Sequence, residues 1–415
     1  MKIAIIGSGI SGLTAAYLLN RKHDVTIFEA NDYIGGHTHT HKVNIDGKKY
    51  SVDTGFIVYN ERTYPNFIKL LDLLNVERQL STMGFSVKSI SKDYEYAGES
   101  LNSLFAKRSN IFRFGFLRML YEMYHFGKKA DSSGIGLDAS VTLGDYLKKE
   151  KYSGEFINYF IIPMGAAIWS TPANKVLNMP AYFFIKFFYN HGMLETINRP
   201  NWWVIKNGSS EYIKKIIRGF ENKINLSTPV KTVARKNEGI EIQLAKKDET
   251  LKFDSVIFAT HSDQALEMLE NPTDTEKDIL SSIPYQKNEV LLHTDSSVLP
   301  RRKLSWASWN YQLDSDPALP VVLTYNMNIL QSINCKETLC VTLNDHNSVD
   351  ETKILKKITY HHPLFNGKSI EAQKRKSEIS GVNNTHYCGA YWRNGFHEDG
   401  VVSALDVCKD FGEQI

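Results

Sequence analysis

The chain opens with a pattern of apolar and polar positions that predicts a strand, a turn, a helix and a second strand. The apolar run KIAIIG (2–7) is typical of a strand buried on both faces of a parallel sheet. LTAAYLLNRK (13–22) is a good helix, and DVTIFEA (24–30) predicts a second strand. The order indicates a βαβ unit.

Later apolar runs predict further elements of the same domain. FDSVIFATHSDQAL (253–266) predicts a buried strand ending at Ala259 and Thr260, and STPVKTVARKNEGIEIQLA (227–245) predicts two strands. Near the C-terminus, residues 395–404 predict a turn that enters a helix, with Asp399 as the expected N-cap.

The middle of the chain has a different pattern, rich in aromatic, Leu and Met residues. Residues 104–129 and 179–203 are mainly helical by pattern, and VLLHTD, SWASWNY, VVLTYNMN and KETLCVTLN predict strands of a second sheet. Aromatic residues at helical spacing favour a packed core. The alternative is an apolar tunnel with a basic collar for acidic lipid head groups, which favours a peripheral membrane contact; the collar residues are Arg108, Arg113, Arg118, Lys128 and Lys129.

Composition narrows the class of protein. The chain has 415 residues and 42% hydrophobic content, enough for two domains, and its net charge of +3 is too small to indicate nucleic-acid binding. No run of eighteen apolar residues predicts a membrane-spanning helix. Cys335, Cys340, Cys388 and Cys408 form no CxxC pair, which is typical of reduced thiols in a cytoplasmic protein.

The first turn carries the chemistry of nucleotide binding. GSGISG places glycines at 7, 9 and 12, and Glu29 follows Gly9 by twenty residues at the end of the second strand. The glycines allow a tight turn and a close diphosphate, the helix N-terminus favours phosphate, and Glu29 can accept bonds from a ribose diol. The nucleotide-binding positions predicted here are Gly7, Ser8, Gly9, Ile10, Ser11, Gly12, Glu29 and Ala30.

Three histidines follow in the stretch GGHTHTH (35–41). On an extended strand His37, His39 and His41 would share one face, an arrangement that suggests zinc or copper. The alternative is a polar strand face next to a nucleotide loop, because three histidines on one strand rarely complete a metal site.

The stretch EANDYIGG (29–36) resembles the flavin-binding amine-oxidase superfamily, in which a glycine pair and an arginine follow the ribose-binding acid. The resemblance implies that Gly35, Gly36, His37 and Thr38 lie near the diphosphate of FAD, with His37 in the basic role and no metal bound. DTGFIVYN (53–60) resembles the segment that passes the flavin ring. Further cofactor positions implied by the resemblance are Gly55, Val230, Ala259, Thr260, Gly389, Asp399, Gly400 and Val401.

The C-terminal segment HYCGAYWRNGFHEDGVVSALDVCKDF (386–411) resembles the part of this superfamily that closes the cofactor site. Its helix N-terminus is then expected at the pyrimidine side of the flavin, where it stabilises the anionic reduced form. This chain has Gly389-Ala390 where the superfamily often has Gly-Asp or Gly-Glu. No attachment motif is evident, so non-covalent FAD is expected.

IIPMGAAIWSTP (161–172), with the segments above, is similar to a subgroup of FAD-dependent oxidoreductases associated with cyclopropane and methyl-branched fatty-acid enzymes. The resemblance implies a lipid substrate and a lipid methyltransferase partner.

Many amine oxidases hold a water at flavin N5 with a lysine. In IPYQKNEVLLHTD (283–295) the register gives Asn288 or Glu289 at this position, next to Lys287. Candidate catalytic groups are Tyr391 and Phe396 as flanking aromatics, and His397 and Glu398 as proton carriers; for His397 a structural hydrogen bond within the turn is the alternative.

The predicted fold is α/β, with a Rossmann-like FAD-binding domain of the glutathione-reductase and amine-oxidase type interleaved with a mixed substrate domain. The first is predicted from residues 1–75, 200–265 and 385–415, and the second from residues 76–199 and 266–384. The leading hypothesis is hydride transfer between flavin N5 and an acyl chain or lipid, in the cytoplasm or at the inner face of the membrane. The alternatives are an amine or carotenoid-type oxidoreductase, and a flavin-bound accessory subunit of a lipid methyltransferase.

Overall fold

The structure, a computed structural model, describes residues 1–89, 91–133, 137–138, 140–193, 200–246, 249–313, 320–345 and 347–415. It is a mixed α/β protein, and the predicted fold class is confirmed. Within the described ranges, no helix is both long and apolar enough to cross a membrane.

A five-stranded parallel sheet underlies the predicted nucleotide site. Ile5 pairs with Ile27 on one side and with Ile257 on the other, so the three predicted strands are adjacent. The N-terminal helix Ile10–Leu19 packs beside the C-terminal helix His397–Asp410. In spatial order the strands are Ile224–Asn225, Asp24–Phe28, Lys2–Ile6, Ser255–Phe258 and Thr385–Tyr387.

Three small antiparallel sheets surround this core. The predicted strand pair is confirmed, with a third strand added, in Val230–Lys236, Gly239–Leu244 and Thr250–Phe253. The histidine stretch leads into the hairpin Thr40–Ile45 and Lys48–Asp53. The third sheet joins Val58–Asn60, Trp202–Ile205 and Arg78–Ser81.

A seven-stranded mixed sheet forms the second half of the molecule. The four strand segments predicted from the middle of the chain are all present in it, and three further strands were not predicted. Its spatial order is Ile354–Pro363, Tyr285–His293, Cys340–Leu343, Leu323–Asn326, Trp309–Gln312, Phe85–Ser89 and Tyr94–Ala97.

The strands of the parallel sheet lie in residues 1–75, 200–265 and 385–415, and those of the seven-stranded sheet lie in residues 76–199 and 266–384. Arg78–Ser81 crosses the division, because it lies in the range predicted for the substrate domain but pairs with Trp202–Ile205 from the other range. The boundaries themselves stay a prediction.

Helices cover the edges and faces of the two large sheets. One of them is continuous through the π-helical turn Ile157–Ile161, which joins Gly154–Phe156 to Ile162–Trp169. The other helices are Pro65–Leu73, Leu101–Leu104, Phe114–Ser133, Leu143–Lys149, Ala173–Val176, Ala181–Asn190, Ser210–Ile216, Ser262–Met268, Asp274–Ser281, Met327–Leu330 and Gly367–Lys374. Short 3₁₀ turns lie at Arg108–Phe112, Glu221–Lys223, Ser296–Val298, Lys303–Ser305, Glu351–Lys353, Lys376–Glu378 and Ala390–Trp392.

The described parts of the two aromatic stretches form a helical core, as the packing interpretation predicts, whereas residues 194–199 of the second stretch lie outside the described residues. Phe116 and Phe126 from the first stretch and Phe184 and Phe188 from the second are buried in one apolar cluster. Phe184 stacks on Phe188 with 4.2 Å between ring centroids. The start of helix Phe114–Ser133 is an exception, because several of its apolar side chains are exposed.

Candidate flavin site

The glycine loop after the first strand has the shape of a diphosphate cradle. Gly7 has a φ of +102°, and a Cβ there would stand 2.8 Å from the carbonyl oxygen of Ala259. A Cβ on Gly12 would stand 2.0 Å from Gly7 O. A Cβ on Gly9, in contrast, would meet no atom within 4 Å. Gly7 and Gly12 therefore close the turn, and Gly9 leaves room at the helix N-terminus, where phosphate is stabilised.

Glu29 stands beside this loop with both carboxylate oxygens engaged. Oε2 accepts bonds from Ser8 N at 2.9 Å and Ser8 Oγ at 2.7 Å, and Oε1 accepts bonds from Asn31 N and Nδ2, both at 2.9 Å. The exposed Asn31 amide is the partner that a ribose diol can replace. Thr228 N donates to Glu29 O at 2.8 Å, so Val230, predicted beside the adenine, begins its strand close to this acid.

The other predicted positions of this region surround the cradle. Ile10 and Ser11 are buried in the first helical turn, and Thr260 is half-buried two residues after strand Ser255–Phe258. Ala30 is exposed in the turn after Glu29.

The predicted glycine pair closes over the cradle. Gly35 N donates to Ser8 O at 3.0 Å, and a Cβ on Gly36 would stand 3.3 Å from Gly9 Cα. The two glycine motifs, almost thirty residues apart in the sequence, therefore face each other across the space that Gly9 leaves. This geometry fits a dinucleotide diphosphate.

Gly55 fixes the next crossing of the chain. Phe56 N donates to His37 O at 2.7 Å, and a Cβ on Gly55 would stand 2.1 Å from the same oxygen. Only glycine fits at this approach. The segment predicted to pass the flavin ring is thus joined to the glycine-pair loop.

The C-terminal helix brings the second half of the site to the first. A Cβ on Gly400 would stand 2.7 Å from Ile10 Cγ2 and 3.0 Å from Ser11 Oγ, so the first turns of the two helices are in contact. Val401 is fully buried in this contact. Gly389 N donates to Ser403 Oγ at 3.1 Å and fixes the approach to the helix.

The prediction of Asp399 as N-cap is wrong. The N-cap is Phe396, and Asp399 is the third helical residue, whose Oδ2 accepts a bond from Phe396 N at 2.9 Å. The acid therefore caps the helix from inside its first turn, as the second member of a capping box does. Burial raises the pKa of Asp399 to about 7, although the bond from Phe396 opposes this shift.

His397 is part of a buried network that crosses the molecule. Its Nε2 lies 2.9 Å from Thr38 Oγ1 and 3.2 Å from Tyr212 OH, and those two oxygens are 2.5 Å apart. The imidazole stacks on Phe56 at 3.5 Å between ring centroids. Burial lowers its pKa well below the usual value, so the ring is neutral. Its hydrogen bonds join three chain segments; the expected alternative, a bond within the turn, is not the one formed.

Glu398, predicted as a proton carrier, caps a neighbouring helix. Its Oε1 accepts bonds from Asn66 N at 3.1 Å and Asn66 Nδ2 at 2.7 Å, and its Oε2 accepts a bond from Phe67 N at 2.8 Å. These donors belong to the first turn of helix Pro65–Leu73. A carboxyl group that accepts from the free N–H groups at a helix N-terminus has a structural role.

The predicted flanking aromatics lie in different apolar clusters. Tyr391 is buried against Trp392 at 5.0 Å and Tyr285 at 6.5 Å between ring centroids. Phe396 stacks on Phe187 at 5.1 Å, within the aromatic helical layer. Phe396 therefore joins the aromatic helical layer to the C-terminal helix.

The three histidines of the GGHTHTH stretch separate. His39 and His41 remain neighbours at 4.0 Å between ring centroids, whereas His37 turns toward Tyr360 at 4.9 Å and His362 at 5.3 Å. Among the residues that the structure describes, no group of His, Cys, Asp or Glu is arranged to hold a metal ion.

The protein environment of His37 opposes a positive charge on its ring, and the basic role that the resemblance implies stays a prediction. Burial, with the neighbouring His261, lowers the pKa of His37 to about 3, and burial likewise lowers the pKa of His362 to about 3. A neutral imidazole donates one hydrogen bond without charge. His37 Nε2 is buried without a partner among the described residues, and an oxygen of FAD would supply one.

The acid that organises this region most directly, Asp53, was missed. It is fully buried and accepts bonds from Ser209 N at 2.9 Å, Ser209 Oγ at 2.8 Å, Gln331 Nε2 at 2.6 Å and Thr40 Oγ1 at 2.5 Å. Burial raises its pKa to about 6. Asp53 begins the stretch DTGFIVYN, so a single acid ending an apolar strand was the available signal.

The strand expected to carry a lysine has an amide in the inward position. Asn288 is fully buried, and its Nδ2 lies 3.2 Å from His362 Nδ1, while its Oδ1 accepts a bond from Asn344 Nδ2 at 2.8 Å. Lys287 is exposed and pairs with Glu289 at 3.1 Å. Alternation along the strand thus turns Lys287 outward and places Asn288 toward the histidine cluster.

Solved structures of related fold agree with this geometry. A CLA-producing fatty acid isomerase from P. acnes has a TM-score of 0.70 at 17% identity, over 99% of this chain and 98% of that one. Cyclohexylamine oxidase from Brevibacterium oxydans has a TM-score of 0.69 at 14% identity, over 99% of both chains. At these identities the likeness shows the fold alone.

Sequence comparison gives the family. A 4,4'-diapophytoene desaturase of Staphylococcus aureus is 26% identical over 185 residues, which span 39% of this chain and only 35% of the desaturase. Residues 10–312 match the model of the family described as flavin containing amine oxidoreductase. Together with the two glycine motifs and the C-terminal helix, this match shows that the chain belongs to the flavin-containing amine oxidoreductase family and is a flavin-dependent oxidoreductase with FAD as its cofactor.

Proposed function

We propose that this protein transfers hydride between FAD and an acyl chain or similar lipid. The observation that carries the proposal is the position of Phe396, which stacks on Phe187 at 5.1 Å and directly precedes His397, 2.9 Å from Thr38. The aromatic side chains of the helical core therefore reach Phe396. The next residue, His397, bonds Thr38 in the loop predicted to lie near the flavin. An apolar substrate is the chemical class that such a wall accepts.

The protein's own residues position the substrate and exclude water from the site. Trp169 packs on Phe187 at 4.8 Å, and its Nε1 donates to Asn394 O at 3.3 Å, so the helical layer is tied to the segment before the C-terminal helix. When bound, FAD supplies a hydride acceptor or donor at N5. The protein's task is then to order one carbon of the substrate at that atom.

The polar side of the site favours a neutral substrate over an amine. Asn288, where many amine oxidases have lysine, is an uncharged amide next to a neutral His362. Among the described residues, no carboxylate bonds Asn288 or His362, and the adjacent Glu289 is exposed and paired with Lys287.

The finer assignment within the family belongs to the same proposal. Similarity to the subgroup associated with cyclopropane and methyl-branched fatty-acid enzymes suggests a membrane-lipid acyl chain. The names of two relatives, a fatty acid isomerase and a carotenoid-precursor desaturase, support reactions at carbon–carbon bonds. The proposal also includes a location in the cytoplasm, which is expected from the four unpaired cysteines.

The test compares the lipid profile of the host that has the gene with that of the host that lacks it. Two further strains carry the gene restored as wild type or as Gly9→Val. Valine fills the cradle beside the helix N-terminus and is expected to exclude FAD. An acyl species shifted by two hydrogens, restored by the wild type and not by Gly9→Val, supports redox chemistry. A double bond moved at constant mass supports an isomerase, in which the electrons return to the substrate.

An unchanged profile in a host that expresses the protein would contradict the proposal. Anaerobic mixing of the purified protein with acyl lipids and with amines then separates the alternatives. Bleaching of the flavin by an amine or a polyene indicates the amine or carotenoid-type oxidoreductase. No bleaching, with copurification of a lipid methyltransferase, indicates the accessory subunit.

A further inference from the structure

A group of large apolar side chains is exposed at one place on the surface. Phe112 is 89% exposed, Phe114 is 80% exposed and Leu101 is 78% exposed. Phe116 and Met119, from the same helix as Phe114, are buried. The helix therefore already has its core face, and Phe112 and Phe114 belong to a second apolar face that the fold leaves uncovered.

The segments that carry the exposed apolar side chains lie beside one another. Arg108 Nη1 donates to Phe105 O at 2.9 Å, and Nη2 donates to Asn102 Oδ1 at 2.6 Å, which fixes the turn Arg108–Phe112 beside helix Leu101–Leu104. That helix also contacts the turn Lys303–Ser305, where Leu304 is half exposed. We call this surface the apolar tip; its members are Leu101, Ile111, Phe112, Phe114 and Leu304.

Basic side chains surround the apolar tip. Within the described part of the chain, four of them form no ion pair with a carboxylate: Arg108, Arg113, Arg301 and Lys303. Their neighbours Lys107, Arg118 and Arg302 are paired, with Asp93, Glu122 and Glu95 respectively. The surface therefore combines exposed aromatic rings with four basic side chains that form no ion pair among the described residues, although Asp93 lies within electrostatic reach of Arg113.

This arrangement revises the basic collar expected from the sequence. Lys129 pairs with Glu150, and Arg118 pairs with Glu122, so much of that collar is neutralised within the protein. The charge available to a partner lies at the start of the helix and is extended by Arg301 and Lys303, almost two hundred residues later in the chain.

We infer that the apolar tip inserts into the head-group region of a bilayer that contains anionic lipids. Aromatic and leucine side chains are suited to the boundary between head groups and acyl chains, and arginine and lysine attract anionic phosphates. The charge complementarity favours this occupant over an apolar protein groove. The inference deepens the proposed function and rests on it, because membrane binding brings the enzyme to the acyl chains. The binding itself is argued only from the exposed side chains and charges of the apolar tip.

The experiment is sedimentation of the FAD-loaded protein with vesicles of phosphatidylcholine alone and of phosphatidylcholine mixed with phosphatidylglycerol. We expect binding to the anionic vesicles that weakens with salt, and about tenfold weaker binding for Phe112→Ser/Phe114→Ser. Arg301→Ser/Lys303→Ser is expected to reduce binding to the anionic vesicles while leaving any binding to neutral vesicles unchanged. Leu73→Ser, at a half-exposed leucine on another helix, is the matched control and is expected to bind as the wild type does.

Absence of binding to both kinds of vesicle, or equal binding by wild type and Phe112→Ser/Phe114→Ser, would overturn the inference. So would a wild-type dimer in solution that these two substitutions convert to a monomer, because the tip would then cover a second copy. Vesicle binding needs no turnover, whereas turnover of a detergent-dispersed substrate needs no vesicle. Failure of one proposal is therefore distinguishable from failure of the other.

Discussion

Thr38 and His397, 359 residues apart in the chain, meet at 2.9 Å between Thr38 Oγ1 and His397 Nε2. The contact joins the loop after the second strand to the first residue of the C-terminal helix. This buried, uncharged hydrogen bond therefore links the two half-sites for FAD, in addition to the contact between the first turns of the two helices.

His397→Ala is expected to destabilise the folded protein by about 3 kcal/mol, because it removes a stacked ring and leaves Thr38 and Tyr212 without this partner. Denaturant unfolding measures the change, with His125→Ala at an exposed position as the control. Full stability of His397→Ala combined with lost turnover would instead assign a catalytic role to the imidazole.

Gly400→Ala is expected to separate the two helix N-termini, because the added Cβ would stand 2.7 Å from Ile10 Cγ2. Overpacking of this kind costs about 1–3 kcal/mol. We expect reduced retention of FAD through gel filtration. Gly367→Ala is the matched control, since a Cβ there meets no atom within 4 Å; equal flavin content in the two variants would refute the close contact.

Asp399 predicts a specific pH dependence of stability. Its folded-state pKa is raised to about 7, so the folded protein binds this proton more tightly than the unfolded chain does. The associated stability is present below about pH 4 and is lost as pH rises to about 7. Asp399→Asn keeps an oxygen that accepts from Phe396 N and removes this dependence.

The measurement is the difference in free energy of unfolding between wild type and Asp399→Asn across pH. Taking this difference removes the pH-dependent contribution of the buried histidines, such as His37, to the free energy of unfolding. Their pKa values are lowered, so their contribution changes with pH in the opposite direction. It also cancels Asp53, whose pKa is raised only to about 6. A difference that does not change between about pH 6 and pH 7 would show that Asp399 titrates normally.

Lys287 and Asn288 test the amine-oxidase alternative directly. Lys287→Ala is expected to leave turnover within about twofold, because the exposed pair with Glu289 contributes little. Asn288→Ala is expected to lower stability by about 2 kcal/mol, since it leaves His362 and Asn344 without this buried partner. Turnover that depended on Lys287 would contradict this expectation and would support the amine-oxidase alternative.

The sequence predicted the parts of the site that local patterns determine. Gly7, Gly9, Gly12 and Glu29 form a spacing with a single physical explanation, and the resemblance supplied the glycine pair and the C-terminal segment. Asp399 was placed wrongly because an acid near a helix start suits both the N-cap and the third helical position.

Other parts depended on tertiary contacts that no local pattern contains. The four donors to Asp53 come from three separate segments, including Gln331, 278 residues away. The strand Ile354–Pro363 was not predicted because its lysines and histidines obscure the alternation, although Tyr360 and His362 face inward. Neither residue was therefore recognised as part of the site.

The parallel sheet has a consequence for the order of folding during synthesis. Strand Ser255–Phe258 pairs with the central strand Lys2–Ile6 and with Thr385–Tyr387, so the first strand waits for one partner that is made about 250 residues later. Domains fold as their residues emerge from the ribosome, and pairing over such separations is slow. The complete cofactor site can therefore form only when the strand Ser255–Phe258 and the C-terminal helix have been made, and until then one edge of the first strand is unpaired and exposed to aggregation.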